Sequence, residues 1–409
     1  MPSSERDCSS RSCSLEHAVF AFIPAWKSPS PFTPNCADQN IPARVDLLKK
    51  SFRVILDTDV TEIRYLGHGV FHVVYEVFLA SAPPIVARIS YNYKLDKLSL
   101  NWAHESLQSE AAVLEFLERN AAGVPIPKIL HADPSPASVI EAPFMLMEKL
   151  NGRSSGYIGL PLKDMVTLPK IGQVKRLSAS GEPIMGPIFD EREALPGGPF
   201  ETIEDYVKYK LTSTLNAPRN TPPNPDNTLE PLFDVLSLLC SRLIPQSRTM
   251  LRIALSHGDL HDRNLLVEGS SVTGVIDWEA HSGLPACLAA SYPEFLRQDG
   301  IRDKRYNPDD REDGMNPGRR IPSEDAAHLR DVFSKAAGEI DPHFAEALAV
   351  GERLRQLIEW LDFAEWNWPP LWTGCNLWVR DVSLELGLDI KGIEDCLANN
   401  QPFECAVSM

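Results

Sequence analysis

The middle of the sequence holds the segment that most restricts how this chain can fold. Two short apolar runs, at 265–267 and 272–276, flank a polar break at 268–271. This pattern predicts an antiparallel β-hairpin with a tight turn. A hairpin brings the residue before its first strand beside the residue after its second strand. Asn264 and Asp277, thirteen positions apart, are therefore expected to meet at the open end of this hairpin.

The residues at that end have the chemistry of a phosphate-transfer site. Magnesium prefers hard oxygen ligands, and protein sites often supply only one or two carboxylate or amide oxygens. Asn264 and Asp277 are the candidate magnesium ligands, and Asp259, five residues before Asn264, lies on the loop that enters the hairpin. There Asp259 could accept the proton of a hydroxyl or orient that hydroxyl toward the γ-phosphate of ATP. Each residue alone has an ordinary alternative, such as an aspartate that forms a turn.

A second candidate element lies upstream, where glycines interrupt a strand-forming stretch. Gly67 and Gly69 precede the alternating strand 73–79 and the β-rich run 85–89. Glycine lets backbone amides approach phosphate oxygens without a Cβ in the way, although any hairpin can use it. Arg88, in the second run, occupies the place where a phosphate-binding lysine is expected.

A helix is predicted over 102–119, because Leu107, Glu110, Leu114 and Leu117 recur at three- and four-residue steps. A carboxylate on an apolar face is unfavourable unless it is paired. We therefore expect Glu110 to pair with Arg88 and hold that cation against the α and β phosphates. The alternative is a Glu110 at the edge of the stripe, in solvent.

A further strand, 143–152, ends in a polar break as a hinge between two lobes would. The backbone of Glu148 to Leu150 is expected to hydrogen-bond adenine, and Met147 to pack on it. A plain edge strand fits this stretch as an alternative.

Together these segments resemble the aminoglycoside phosphotransferase and choline-kinase-like family, in particular its fungal phosphotransferase branch. The matching pieces are 66–75, 86–89, 109–114, 124–127, 144–152, 257–264, 276–279 and 292–296, in the order of the family and within about 50–380. The chain departs from bacterial members at Arg88 and at His72, where many relatives have asparagine.

The resemblance implies an α+β, protein-kinase-like two-lobe fold, with a small antiparallel β-sheet N-lobe and a larger, mainly α-helical C-lobe. It also implies ATP and Mg as cofactors and transfer of the γ-phosphate to a hydroxyl of a small-molecule metabolite. In that scheme Asp259 is the catalytic base, and Asn264 and Asp277 hold the metal.

The loop around Asp259 argues against a protein kinase. Gly258 stands where protein kinases have an arginine that reads the activation loop. Asp277 is followed by Trp278 rather than by the Phe-Gly pair, and Pro293 follows only sixteen residues after Asp277. His257 is expected to be a packed, hydrogen-bonded histidine that holds the loop.

Composition limits the partners of the chain. A formal net charge of −16 disfavours binding to nucleic acid. No apolar run is long enough for a membrane span or signal peptide, and the eight cysteines lack a Cys-x-x-Cys pair. We expect a soluble cytoplasmic protein with reduced thiols, a small hydroxylated substrate and no obligate protein partner.

The predicted organisation is a loosely ordered extension at 1–42, a nucleotide-binding N-lobe at 43–150, a catalytic and substrate-binding C-lobe at 151–385 and a tail at 386–409. Core helices are expected at 203–215, 232–244 and 344–361. Residues 153–200 form either a structural loop or the substrate side, 216–231 a mobile loop, and 297–324 a solvated insertion. The tryptophans at 360, 366, 368, 372 and 378 are expected in the core rather than in a cation-binding pocket.

Two other functions stay open. Arg88 in place of lysine is compatible with a pseudokinase that binds nucleotide or metabolite without efficient transfer. The N-terminal extension and the charged insertion are compatible with a non-enzymatic interaction protein.

Overall fold

The computed structural model describes residues 42–69, 71–90, 97–121, 123–154, 166–188, 197–216, 230–269, 271–293, 296–297, 300–307, 323–364 and 369–399. The chain forms two compact units. The first consists of Met1–Gln108 and Ile129–Lys149, and the second of Ser109–Lys128 and Leu150–Met409. Apart from Pro42, the extension predicted for 1–42 lies outside the described residues, as do 91–96, 217–229 and 308–322.

The first unit is built on an antiparallel sheet whose strands alternate between a core face and a second face. In chain order its elements are helix α1 (Pro42–Leu56), strands β1 (Val60–His68), β2 (His72–Leu79) and β3 (Ile85–Ser90), the start of helix α2 (Lys97–Asn120), and strands β4 (Ile129–Asp133) and β5 (Phe144–Glu148). The strand order is β1-β2-β3-β5-β4. The plain edge strand considered for 143–152 is wrong, because β5 pairs with both β3 and β4.

The core of the first unit lies between this sheet and helix α1. Leu48 and Phe52 of the helix are fully buried with Val77, Ala87 and Phe144 of the strands. Burying a side chain as large as leucine or phenylalanine contributes about 1.5–3 kcal/mol. The period-two alternation of β2 and β3 sends their remaining side chains to the opposite face.

The second unit combines short β-ribbons with helices. Its strands are β6 (Arg153–Ser154), β7 (Gln173–Leu177), β8 (Pro183–Gly186), β9 (Ile253–Ser256), β10 (Leu265–Glu268), β11 (Ser271–Val275) and β12 (Ser282–Pro285). Its helices are the end of α2, then α3 (Ile203–Asn216), α4 (Glu230–Leu243), α5 (Arg248–Leu251), α6 (Ala286–Ala289), α7 (Ser323–Ile340), α8 (Pro342–Val350), α9 (Glu352–Ala364), α10 (Pro369–Glu385) and α11 (Ile390–Asn399). The α+β class is confirmed.

The core helices predicted at 203–215 and 232–244 are confirmed as α3 and α4, and the one predicted at 102–119 as α2. The single helix predicted at 344–361 is wrong, because α8 and α9 meet at Gly351. A Cβ at Gly351 would overlap the carbonyl oxygen of Cys287, so the backbone itself packs there. Leu354, Leu357 and Leu361 of α9 then enter the core at helical spacing.

Two other predictions for this unit change. Residues 153–200 were expected to have little regular structure, yet they contain β6 and the β7–β8 ribbon. The solvated insertion at 297–324 is wrong for its first part, because Ile301 and Tyr306 lie in the core and the Tyr306 hydroxyl donates to Asp381 at 2.9 Å. Trp360 and Trp378 are buried as core residues, whereas Trp366, Trp368 and the side chain of Trp372 lie outside the described residues.

The predicted tail at 386–409 includes helix α11, which contributes Ile393 and Cys396 to the core of the second unit. Among the helices of the described ranges, none combines the length and the apolar character needed to cross a membrane.

Candidate functional site

The open end of the predicted hairpin is formed as expected. Strands β10 and β11 pair with Leu265 opposite Val275, and a short 3₁₀ turn at Asp262–Asn264 leads into the first strand. The amide of Ile276 donates to the carbonyl of Asn264 at 3.0 Å. Asn264 and Asp277 therefore leave the same end of the hairpin, as the sequence predicted.

Asn264 also holds the loop that carries Asp259. Its Nδ2 donates to the backbone carbonyl of Asp259 at 2.9 Å and reaches the Oδ2 atom of that residue at 3.4 Å. Because Nδ2 makes both contacts, the amide orientation follows from the hydrogen-bond network, and Oδ1 is the side-chain atom that makes neither of them. The Asn264 side chain is buried, whereas that of Asp259 is half exposed. Nε2 of His261 lies 3.5 Å from Asp259 Oδ2.

His257 is the packed histidine that the sequence predicted. Its Nε2 donates to the carbonyl of Ile276 at 3.0 Å, and its Nδ1 accepts from the amide of Asp259 at 3.3 Å. Its ring packs at a tilt against Trp278, with 4.6 Å between the ring centroids. Burial lowers the pKa of His257, so the neutral ring is the form that makes these two bonds. One side chain thus ties the loop of Asp259 to the residue that precedes Asp277.

The backbone conformation and a close neighbour both require a glycine at position 258. Its φ is +79°, and a Cβ there would overlap the carbonyl oxygen of Ala280. In the sequence alone, Gly258 indicates only that a protein kinase is disfavoured. The structure adds that the loop of Asp259 and the segment after Asp277 approach too closely for any side chain at 258.

Asp277 adopts a left-handed backbone, with φ 67° and ψ 60°, before a 3₁₀ turn at Trp278–Ala280. Aspartate and asparagine tolerate this region better than most residues. Trp278 is buried, and its Nε1 donates to the carbonyl of Val275 at 3.1 Å. The turn after Asp277 is therefore fixed on the hairpin that carries Asn264.

His281 is a site residue that sequence reasoning missed. It is completely buried; its Nδ1 donates to the carbonyl of Trp278 at 2.6 Å, and its Nε2 accepts from the amide of Val174 at 3.1 Å. Burial, with a smaller effect of His257 in the same direction, lowers its pKa to about 4. The only sequence signal was a histidine four positions after Asp277, and its partner strand β7 lay in a stretch without clear periodicity.

In the first unit, the strand register places the predicted nucleotide residues on one face. Val86 pairs with Glu76 on one side and with Met147 on the other, and Arg88 pairs with Met145. Lateral partners share a face of the sheet. Arg88 and Met147 therefore lie on the face opposite the core, while Glu148, at the end of β5, is exposed.

Arg88 has a partner within that unit. Its Nη2 lies 3.1 Å from Nδ1 of His72, and both side chains are buried. Burial, and then the Arg88 cation, hold the pKa of His72 well below its usual value, so the neutral ring accepts from the guanidinium. His72, which departs from the family pattern, is thus a hydrogen-bond partner that orients Arg88.

The other residues predicted to bind nucleotide are two glycines of the first unit and two residues of the second unit. The amide of Gly69 donates to the carbonyl of His72 at 2.8 Å. A Cβ at Gly67 or Gly69 would meet no described atom within 4 Å. Glu110 belongs to the second unit and is 2% exposed, so the solvent alternative is wrong, while its pairing with Arg88 stays a prediction. Leu150, in the second unit, lies against Gly274.

Within the described part of the chain, no group of three or more His, Cys, Asp or Glu side chains is arranged to hold a metal ion. The predicted set of Asn264 and Asp277 is smaller than that, with one carboxamide and one carboxylate.

A family model described as phosphotransferase enzyme family matches residues 82–161 and 194–287. Over these two ranges the chain is similar to this phosphotransferase enzyme family. The matched segments contain Arg88, Glu110 and Met147 in the first range, and Asp259, Asn264 and Asp277 in the second. This match agrees with the resemblance drawn from the sequence.

Similar proteins differ widely in sequence. The clavilactone A biosynthesis cluster protein Y of Ampulloclitocybe clavipes is 26% identical over 314 residues, which are 70% of this chain and 75% of that protein. Among solved structures, aminoglycoside phosphotransferase APH(4)-Ia is 12% identical, with 82% of this chain and 98% of that chain covered and a TM-score of 0.46. The streptomycin and ATP complex of APH(2")-IIa is 15% identical, with coverages of 78% and 88% and a TM-score of 0.40.

Proposed function

We propose that this phosphotransferase is an ATP- and magnesium-dependent kinase that transfers the γ-phosphate to a hydroxyl of a small molecule. The observation that carries the proposal is the hairpin end, where Asn264 and Asp277 emerge together and Asn264 hydrogen-bonds Asp259. A base and two oxygen ligands on one short segment are the parts that phosphate transfer requires.

The donor set fits a magnesium ion. Asn264 offers Oδ1 because Nδ2 is used toward Asp259, and Asp277 offers a carboxylate. Magnesium commonly keeps several waters and takes one or two protein oxygens together with phosphate oxygens. When bound, it would supply positive charge that offsets the charge of the transferring phosphoryl group.

The first unit fits a nucleotide. A Cβ at Gly67 or Gly69 would meet no described atom within 4 Å, so a phosphate could approach this backbone closely, while the Gly69 amide itself donates to His72. Arg88, whose guanidinium is held by His72, would bind the α and β phosphates. Met147 would pack on adenine, and the backbone of Glu148 to Leu150 would hydrogen-bond its edge.

In this scheme Asp259 accepts the proton of the acceptor hydroxyl. Its carboxylate is half exposed, so an acceptor can reach it, while Asn264 and the His257 ring fix its backbone. Pre-positioning of this kind is the main contribution a protein makes to phosphoryl transfer.

The similar protein of Ampulloclitocybe clavipes and the composition of this chain support the proposed class of acceptor. The Ampulloclitocybe clavipes protein carries a name that places it in a biosynthesis cluster, which favours a hydroxylated secondary metabolite as acceptor here too. The net charge of −16 favours a neutral or cationic acceptor over nucleic acid. We keep the cytoplasm as the proposed location.

The test combines binding and transfer. Wild type should be stabilised against heat by ATP only when magnesium is present, and should move phosphate from γ-labelled ATP to members of a library of hydroxylated metabolites. Asp259→Asn should keep the stabilisation and lose transfer by about 1000-fold, a loss in the middle of the range for general base catalysis. A wild type that is not stabilised by ATP and magnesium would refute the proposal.

A pseudokinase remains the second candidate, because Arg88 replaces the usual lysine and is held by His72. It predicts magnesium-dependent ATP binding with no transfer to any acceptor and no change on Asp259→Asn. Arg88→Lys combined with His72→Asn should then raise transfer if the arginine is what limits the reaction.

A further inference from the structure

The backbone that follows Asp277 is held from two sides. On one side, Gly258 packs against the carbonyl of Ala280. On the other, His281 links the carbonyl of Trp278 to the amide of Val174, and Nε2 of Gln173 donates to the carbonyl of Glu279 at 3.4 Å. The carbonyls of Glu279 and Ala280 thus face neighbouring segments, and the carbonyl of Trp278 is joined to strand β7 through His281. Strand β7 contributes Gln173 and Val174 to these contacts.

Strand β7 is itself held in place. Gly172 and Gly283 exchange backbone hydrogen bonds of 3.1 and 2.6 Å. The hydroxyl of Ser109 on helix α2 donates to the carbonyl of Val174 at 2.8 Å. Val174 is fully buried, so both its amide and its carbonyl need these partners. The contacts form one buried path from Ser109 through Val174 and His281 to the turn after Asp277.

We propose that His281 is a positioning residue, which fixes the metal-ligand turn at Asp277 by tying it to strand β7, and that Ser109 supports it from the other side of that strand. The inference rests on the proposed function, because it gives Asp277 a metal to hold. His281 touches no substrate or metal; it acts through the backbone of Trp278. A ligand held by one carboxylate on a turn depends on the rigidity of that turn.

The two hydrogen bonds of the His281 ring distinguish a local structural role from a positioning role. The Nδ1 bond to Trp278 closes a turn within four residues, and that bond alone would serve only the fold of 278–281. The Nε2 bond to Val174, 107 positions away in sequence, is what makes His281 a link between two segments. Variants that keep one bond and lose the other therefore separate the two roles.

His281→Asn places an N–H donor near the position of Nδ1 and removes the acceptor for Val174. His281→Gln extends its amide toward the position of Nε2 and weakens the contact with Trp278. Ser109→Ala removes the support on the far side of the strand. Val382→Ala, in the fully buried core of α10 and remote in sequence from the site, is the control for general loss of stability.

The first readout needs no nucleotide. Hydrogen–deuterium exchange of the peptide that spans 276–284 should rise in His281→Asn and in His281→Gln, and stay at the wild-type level in Val382→Ala. The second readout is the magnesium concentration that gives half of the ATP-dependent thermal stabilisation. It should rise by about tenfold in both His281 variants, by less in Ser109→Ala, and not in Val382→Ala.

The outcomes separate the claims. Unchanged exchange in His281→Asn would show that the tie to β7 does not hold the turn, and would overturn the inference. If exchange rises but the magnesium midpoint does not change, His281 only stabilises the turn. That result would overturn the positioning role as well. A wild type without magnesium-dependent ATP binding, together with raised exchange in the variants, would refute the proposed function and with it the role assigned to the tie.

Discussion

Asn264 Nδ2 donates to the backbone carbonyl of Asp259 at 2.9 Å and approaches its carboxylate at 3.4 Å, so one side chain serves both the proposed base and the proposed metal. The nitrogen faces Asp259, and the oxygen is the proposed ligand of the magnesium ion. In the proposed site the amide nitrogen of Asn264 holds Asp259 and the amide oxygen binds magnesium. Single substitutions at Asn264 can test these two roles one at a time.

Asn264→Asp should distinguish these tasks. The variant keeps an oxygen for magnesium, but it cannot donate to Asp259 and adds a like charge next to it. We expect a fall in kcat of about 100-fold, with the magnesium midpoint for ATP binding changed by much less. Asn264→Ala should impair both. Steady-state kinetics and a magnesium titration of thermal stability test this, and an Asn264→Asp variant with a normal kcat would contradict it.

Gly258→Ala should unfold the second unit far more easily than a comparable glycine change nearby. The new Cβ would overlap the carbonyl oxygen of Ala280 and would sit on a backbone with φ +79°, so we expect a loss of more than about 3 kcal/mol in the free energy of unfolding. Gly269→Ala is the matched control. Its φ is +62° and a Cβ there meets nothing within 4 Å, so only about 1 kcal/mol should be lost. Equal losses in urea unfolding would show that the close approach to Ala280 is unimportant.

Stability should fall below neutral pH, partly through His281. Its pKa is lowered in the folded state from 6.5 to about 4, so the unfolded chain binds the proton first and the stabilisation, complete above pH 6.5, is lost toward pH 4. The loss from this residue between pH 7 and pH 5 should be about 2 kcal/mol. Urea unfolding at both pH values should show a smaller difference for His281→Gln, which has no titrating ring. His257, buried nearby with a lowered pKa, adds a contribution of the same sign that the variant retains.

Lys149 should stabilise the first unit through the buried Glu76. Its ammonium pairs with Glu76 on β2, and Arg64 lies 3.5 Å from the same carboxylate. Lys149→Met removes the nearer cation, so we expect a loss of about 1–3 kcal/mol, discounted from the full buried-pair value because Lys149 is 38% exposed.

Glu76→Gln in the same chain should restore most of that stability, because no buried charge then lacks its partner. A double-mutant cycle in urea gives the coupling between the two residues. Lys149 lies within the segment proposed to bind adenine, so the KM for ATP should rise in Lys149→Met as well. Additive effects of the two changes would contradict the pairing.

The features that the sequence predicted well depend on neighbouring residues. The hairpin that joins Asn264 and Asp277 follows from two apolar runs and one polar break, and helix α2 from a regular apolar spacing. The strands predicted at 73–79 and 85–89 follow in the same way from alternating and β-rich runs. Such patterns are visible because each is set by contacts over a few positions along the chain.

The features that the sequence did not reveal depend on contacts between distant segments. Val174 lies 107 residues from His281, in a stretch without helical or strand periodicity, so nothing local connected them. The break at Gly351 depends on the carbonyl of Cys287, and the burial of Tyr306 on Asp381. In each case the partner is a backbone group or a polar side chain that is distant in the sequence. Hydrophobic periodicity does not reveal contacts of this kind.

The division of the chain into units has a practical consequence. Residues 109–128 belong to the second unit although they lie within the sequence of the first, so the polypeptide passes from one unit to the other at 108/109, 128/129 and 149/150. No single cut therefore yields two complete halves. Split-protein reporters, or chimaeras that exchange one unit with that of a relative, require three junctions, one of them inside helix α2 between Gln108 and Ser109.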